Sequence, residues 1–397
     1  MMKEAPCMDD GTTARSEFGM RLAALRKQAR LSQSQLAERL CATTGTTTLT
    51  RNEVSRWERG QRLPDAWLAS LAAVLAVPLA ELERAVDRAR GTAPADDYDD
   101  SPHAEVQRLA SWLLHHDQAF GGDHVADAAS QLWRAEVARI QGEDTHRLSV
   151  ASELAEITGW LLFDADRQSE ARAAFMESLH LARLAGNRSM EWFALDLLAM
   201  HGIENRRIGE VLAICDELTS RPVPPRIALL ADIRRSRALA LAGDRPRATA
   251  AIERARSALD ESLHPKDPRW AWWVDDEEIS GQEGEVFLAL ADPSRAIPHL
   301  VRTSDLVSEI NATGRGAFFY RTAELTALTA AHAWQDAEAT LLHLPPILAT
   351  VSSTRTRARL CRTLRAVELG GPAWLADTAR DMAAGRERLC PVGRAQA

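Results

Sequence analysis

Apolar residues along the chain recur every three or four positions, with no sustained alternation, so helices are predicted throughout. Over residues 16–30, Phe18, Leu22 and Leu25 form one apolar stripe, with Ser16 as its cap. Ser32 caps a second helix that runs to about Leu40, with Leu36 and Leu40 facing inward. The connector ATTGTTTLT disfavours helix through its β-branched residues and Gly45. Thr50 and Glu53 then spell a capping box for a third helix over 51–59. Val54 and Trp57 point inward there, and Gly60 stands where a left-handed cap ends the helix. Pro64 and Asp65 open a fourth helix, with Trp67, Leu68, Leu71, Ala72 and Leu75 on its apolar side. Pro78 opens a fifth, to about Arg90. These five short helices predict a compact all-α domain over 15–90.

Residues 1–14 are polar and small, and read as a disordered tail. They contain no apolar run of the secretory kind. The stretch 91–102, GTAPADDYDDSP, is acidic and rich in Pro, Gly and Ala, and reads as a linker. From 103 to 390, helical stretches alternate with short breaks such as Gly121-Gly122, Gly186-Asn187, Gly243-Asp244 and Asp292-Pro293, which predicts an α-solenoid. A turn followed by a small anchor recurs at Ala171, Val211, Ala248, Ala296 and Ala337, with separations of 40, 37, 48 and 41 residues. In the first unit, ITGWLLFDADRQSEARAAFMESLHLA, Gly159, Ala171, Phe175 and Ser178 fall on small, small, aromatic and small positions. Later units keep Gly243, Ala248, Ala255, Gly284 and Ala296. Small residues let crossing helices approach closely. Helices near 354–369 and 372–388 close the array.

The formal net charge of −8 hides an asymmetry. Ten basic and four acidic residues between Arg15 and Arg62 give +6, which leaves −14 on the remainder. A basic module on an acidic body suits a protein in which one domain meets phosphate. No apolar run is long enough for a membrane helix. The five scattered cysteines form no C-x-x-C pair and read as unpaired thiols of a cytoplasmic protein. No Walker loop, G-x-G-x-x-G, G-x-S-x-G or H-E-x-x-H occurs, so neither an enzyme nor a cofactor is expected. The cluster His115, His116, Asp117 and His124 lacks metal-ligand spacing and reads as solvated surface; no metal is expected.

On the third helix, Arg51, Asn52, Ser55 and Arg56 lie on or near one outward face. Arginine can pair bidentately with guanine and asparagine with adenine, so these four are the candidate base readers. Gln33 and Ser34 at the start of the second helix, with Thr50, Arg59 and Arg62, are candidate phosphate contacts; Arg39 is a further one.

LSQSQLAERL at 31–40, VSRWERG at 54–60 and the following R-x-P at 62–64 resemble the XRE, or phage-repressor (Cro-like), helix-turn-helix family. LASLAAVLAVPLAEL resembles that family's last helices, so the likeness covers roughly 16–90. The resemblance implies a lambda-repressor-like five-helix fold, a phosphate clamp at Gln33 and base reading by Arg51, Asn52 and Arg56. It also implies a buried ion pair between Arg26 and Glu58. The stretch Cys41–Thr50 departs from the family by about seven extra residues, and its hydroxyls could reach a phosphate. The units after residue 103 resemble degenerate tetratricopeptide (TPR) repeats. The combination resembles bacterial regulators, either the peptide-pheromone-responsive class or larger XRE regulators of actinobacteria. The excess of Arg over the three lysines, Lys3, Lys27 and Lys266, associates with the second.

Together these features predict a cytoplasmic, sequence-specific regulator that binds a double-stranded DNA operator as a homodimer. Its body would sense a peptide, small molecule or protein partner. A repeat scaffold with secondary DNA binding is the alternative. By the repeat register, the concave face carries Glu156, Trp160, Asp196, Met200, Arg237, Glu278, Glu285, Phe319 and Thr322, a mix suited to an extended ligand or a subunit. WAWWVDDEE at 270–278 reads as a helical packing seam, or as an aromatic wall beside carboxylates.

Overall fold

The computed structural model describes residues 10–44, 49–64, 67–75, 77, 82, 85–87, 89, 102–140, 142, 144–264 and 266–384. These residues are all-α, with no strand among them. The chain divides into two compact units, residues 1–100 and 101–397.

In the first unit, helix α1 spans Asp10–Gln28, α2 Gln33–Thr44, α3 Arg51–Glu58 and α4 Leu68–Leu75. Phe18, Leu22, Leu36, Leu40, Val54, Trp57, Leu71 and Leu75 are buried in one core, joined by Leu82 and Val86. Helix α1 begins six residues before the expected cap, so Ser16 lies inside it and residues 10–14 are helical rather than tail. The tail reading for residues 1–9 lies outside the described residues. So do the linker reading for 91–101, most of the fifth helix and residues 45–48 of the Thr-rich connector. The described part of that connector extends α2 to Thr44, past the expected stop at Leu40.

In the second unit, α5 (Pro102–Phe120) and α6 (Ala126–Val137) lead into antiparallel pairs. These are α7 (Thr145–Asp164) with α8 (Gln168–Leu184), α9 (Arg188–Glu204) with α10 (Ile208–Thr219), and α11 (Pro225–Leu241) with α12 (Arg245–Ala258). Next come α13 (Asp276–Ala289) with α14 (Pro293–Asn311), and α15 (Arg315–Ala330) with α16 (Trp334–Leu342). Helices α17 (Leu344–Thr350), α18 (Thr354–Gly370) and α19 (Ala373–Ala384) complete the unit.

The repeat is visible in the backbone. The turn inside each of the five pairs holds one residue at positive φ: Asp166, Arg206, Gly243, Ala291 and His332. The residue after each donates to the carbonyl five positions back, as in Arg167 N–H to Leu162 O at 2.8 Å and Ala333 N–H to Leu328 O at 2.9 Å. Each turn is thus a left-handed helix stop. The anchors Ala171, Val211, Ala248, Ala296 and Ala337 sit five residues beyond the positive-φ residue, and all are fully buried. At Gly159 a Cβ would press on the Phe175 ring, and at Gly284 on Leu300. Gly243 serves the turn and not the helix crossing.

The 48-residue interval accommodates an insertion, part of which is a 3-10 helix at Arg269–Trp273. It is not the α-helical face expected for WAWW. Trp270 stacks on Phe193 at 4.3 Å and donates to Ser189 O at 3.1 Å, so the segment is a packing seam. Asp275 then caps α13 by accepting from Glu278 N at 3.0 Å.

The array closes on itself. Helix α18 packs on α15 and α7, and α5 packs on both of those helices. Ser352 N donates to Phe120 O at 2.7 Å, and Ser352 Oγ to Asp123 Oδ2 at 2.8 Å. Thr354 donates to Asp123 through N and Oγ1 at 3.0 and 2.9 Å. Asp164 accepts from Ser353 Oγ at 2.8 Å and from Gly122 N at 3.1 Å. Gly121, at φ +81°, leaves no room for a Cβ against the Ser352 carbonyl. The Gly121-Gly122 pair is therefore the seam of a ring.

Candidate nucleic-acid interface and the inward face of the body

Helix α2 starts with a reciprocal cap. Gln35 N donates to Ser32 Oγ at 3.1 Å, and Ser32 N donates to Gln35 Oε1 at 2.8 Å. Helix α3 differs from expectation. Thr50 is extended, but its side chain makes no cap bond. Glu53 instead accepts from Arg56 NH1 at 2.6 Å and from Arg62 NH1 at 3.2 Å. The capping box is absent because its carboxylate holds two arginines on the outer face. At the other end, Gly60 (φ +66°) donates to Trp57 O at 3.0 Å and Gln61 N to Arg56 O at 2.9 Å, the left-handed stop expected there.

The position of α3 is set by Glu58. Arg26 Nε donates to Glu58 Oε1 at 2.5 Å, and Arg26 NH2 to Oε2 at 3.1 Å. A third donor, Arg26 NH1, reaches Leu31 O at 2.6 Å. The two side chains are only 10% and 8% exposed. Gln33 Nε2 donates to Glu58 Oε2 at 2.7 Å, so its amide is held on the ion pair and not left facing outward as a free phosphate clamp. Its place at the first turn of α2 still leaves its backbone N–H at a helix N-terminus.

Arg51, Asn52 and Arg56 are exposed on α3, and Ser55 is half-buried beside them. Ser34 is exposed at the start of α2, and Thr50 is exposed just before α3. Arg59 and Arg62 are also exposed; Arg59 Nε donates to Ser55 O at 3.1 Å. One contributor escaped the sequence reading. A Cβ on Gly19 would collide with the Glu58 carbonyl and lie 2.9 Å from Gly60 N. Glycine there lets α1 lie directly against the end of α3. Gly19→Ala is expected to destabilise the first unit by about 2 kcal/mol or more, because backbone must move. Calorimetry of the full chain checks this, and an unchanged transition of the first unit would contradict it.

In the body, Asp196, Arg237, Glu278 and Glu285 of the residues expected on the concave face converge in a buried network. Asp196 accepts from Arg234 Nε at 2.9 Å and NH2 at 2.8 Å. Glu278 lies 4.0 Å from Arg234 NH1, and accepts from Gln282 Nε2 at 2.9 Å and Tyr320 OH at 3.3 Å. Arg237 donates to Gln282 Oε1 at 2.7 Å and Glu285 Oε2 at 3.2 Å. Burial pushes the Glu278 carboxyl up, although Arg234 opposes this. Burial also acts upward on Glu285, but Arg359 and Arg237 outweigh it and hold its carboxyl below the usual range. Glu156 differs from both: burial, then the neighbouring Glu153, push it well above the carboxylate range.

Asp117 is not the solvated residue expected of its cluster. It is buried, and its Oδ2 accepts from Trp160 Nε1 and Arg315 Nε, both at 2.9 Å. The Arg315 guanidinium lies 4.8 Å from the Trp160 ring. His115 and His124 are exposed or nearly so, and His116 is half-buried. Among the described residues there is no cluster able to hold a metal. The cysteine reading also needs correction: Cys215 is a buried thiol, but Cys361 is disulfide-bonded. Among the described residues, no helix is long and apolar enough to cross a membrane.

Residues 17–85 match the family model described as helix-turn-helix domain, HTH_31. The first unit thus carries a helix-turn-helix domain, with α2 and α3 as its two short helices. Among solved structures, the crystal structure of Bacillus thuringiensis PlcR in complex with the peptide PapR7 and DNA is similar at a TM-score of 0.35 and 13% identity. That likeness covers 75% of this chain and 97% of the other. No curated protein matches the chain.

Proposed function

We propose that this protein is a cytoplasmic, sequence-specific DNA-binding transcriptional regulator of the XRE type, acting on its operator as a homodimer. The observation that carries the reading is the outer face of α3. Arg51, Asn52 and Arg56 are exposed on one short helix, and Arg26 and Glu58 fix that helix from behind. Guanidinium and amide groups on a helix of this size suit base edges in the major groove. Arg59, Arg62, Ser34 and the N-terminus of α2 surround them with donors for phosphate. A single domain of this size buries little surface on DNA, which favours two copies on paired half-sites. The TPR-like body is the effector-sensing part, and its inward residues are the effector-binding face.

Mobility shifts at several salt concentrations test the DNA reading, with a steep salt slope and a large specific-to-nonspecific ratio expected. Arg56→Ala is expected to cost about 2 kcal/mol on the operator and to relax preference at one base pair. Gln33→Ala is expected to weaken binding to every sequence, because the lost amide removes a donor from Glu58, which positions α3. Equal loss from both variants on every sequence would contradict the division of roles.

A further inference from the structure

Towards the end of the array, α15, the turn into α16 and the C-terminal half of α18 enclose a cleft of about 530 Å³. That is the size of a small-molecule site. Arg359 and Arg362 line it from α18, and His332 and Trp334 from the turn. No carboxylate is among its lining residues.

The cleft's hydroxyls are spent within the fold. Thr326 Oγ1 donates to Thr322 O at 2.7 Å, Thr329 Oγ1 to Leu325 O at 2.7 Å and Thr363 Oγ1 to Arg359 O at 3.2 Å. The donors left over belong to two guanidiniums. Arg362 is exposed and has no hydrogen-bond or ion-pair partner among the described residues. Arg359 gives only NH1, to Glu285 Oε1 at 2.5 Å. That carboxylate is already shared, since Arg237 NH2 reaches its Oε2 at 3.2 Å. Arg355, one turn before Arg359, is matched separately to Asp164 at 3.5 Å. Arginines 237, 359 and 362 thus have one carboxylate between them, and the charge at the cleft is positive. Burial lowers the Arg237 guanidinium; Glu285 opposes this and Arg359 adds to it. Guanidinium forks with spare N–H groups take acceptor oxygens, and carboxylate and phosphate fit them best.

The opposite wall is aromatic. His332 and Trp334 stack with ring centroids 5.1 Å apart and planes at 17°. His332 is exposed and Trp334 half-buried, so the pair offers a flat surface on which a planar ring packs.

We propose that this cleft binds a small molecule with a planar aromatic body and a carboxylate or phosphate group, the anion held by Arg359 and Arg362 and the ring packed on His332 and Trp334. The site shares only Arg359 with the buried network of the inward face, and it does not depend on the reading of that face as effector-binding.

Calorimetric titration of the full chain with 2-naphthoate, 2-naphthyl phosphate and neutral 2-naphthamide tests it. One of the two anions is expected to bind with a Kd of about 1 mM or tighter, as suits a fragment of this size, and the tighter one assigns the carboxylate or phosphate source. Arg362→Gln is expected to weaken that anion at least about tenfold, and Arg362→Lys less. His332→Gly, which suits the φ of +57° there, should weaken it several-fold. The proposal is overturned if neither anion binds, if naphthamide binds equally, or if Arg362→Gln binds like the parent. Inorganic phosphate binding as tightly as the naphthyl anions would overturn the aromatic half. A peptide ending in a phenylalanine carboxylate that bound at least tenfold more tightly than either would overturn the assignment to a small molecule. On the unsubstituted protein, the bound anion should slow amide hydrogen exchange in 330–336 and 362–370. Protection confined to other segments would overturn the placement.

Discussion

Glu58→Ala is expected to abolish operator binding by unfolding the domain that carries α3. The substitution leaves the Arg26 guanidinium in a site that is 10% exposed, stripped of two of its three acceptors. It also removes the acceptor of Gln33. Breaking one side of such a pair costs about 3–5 kcal/mol, comparable with the whole stability of a small domain. Replacing both partners with apolar residues, as in Arg26→Met/Glu58→Leu, should cost far less, because no charge is left stranded. Calorimetry of parent, single and double variants checks this. A double variant as damaged as the single one would mean that the charges are not the cause.

Asp196→Ala is expected to have an effect of the same size in the body and none on the first unit's own transition. Asp196 and Arg234 are 1% and 5% exposed, and the carboxylate takes two of the guanidinium's donors. The next acceptor, Glu278, stands 4.0 Å away and is engaged by Gln282 and Tyr320. A loss of about 3–5 kcal/mol should lower the body's melting temperature by roughly 5–10 °C. A shift below about 2 °C would show that Glu278 moves in to replace the lost partner.

The parts legible in the sequence were those with local physical causes. The Ser32 cap, the Gly60 stop and the stripe through Leu36, Leu40, Val54 and Trp57 are each set by neighbours a few residues away. The repeat was legible through its buried anchors, Ala171 to Ala337. Its turns were not, because four of the five left-handed residues are Asp, Arg, Ala and His instead of glycine. The Thr50–Glu53 box misled because Glu53 meets a cation outside its own turn, Arg62. The inward face was legible as a set of positions but not as a network. The missing partners, Asp117, Asp164, Arg234, Arg315, Arg355 and Arg359, lie far along the chain, and no spacing rule links Asp117 to Arg315. The phase match of Arg355 and Arg359, four apart on a helix beginning in Ser-Ser-Thr, was the available hint.

The seam between Gly121-Gly122 and Ser352–Thr354 has a consequence for how the body is made. In a stack of repeats that touch only their neighbours, each unit can settle as soon as the next one arrives. Here Asp123 and Asp164 wait for hydroxyls that leave the ribosome some two hundred residues later. The body should therefore fold late and as a whole, limited by a contact between its two ends. The helix-turn-helix unit, which precedes the body in the chain, would already be folded while that ring is still open.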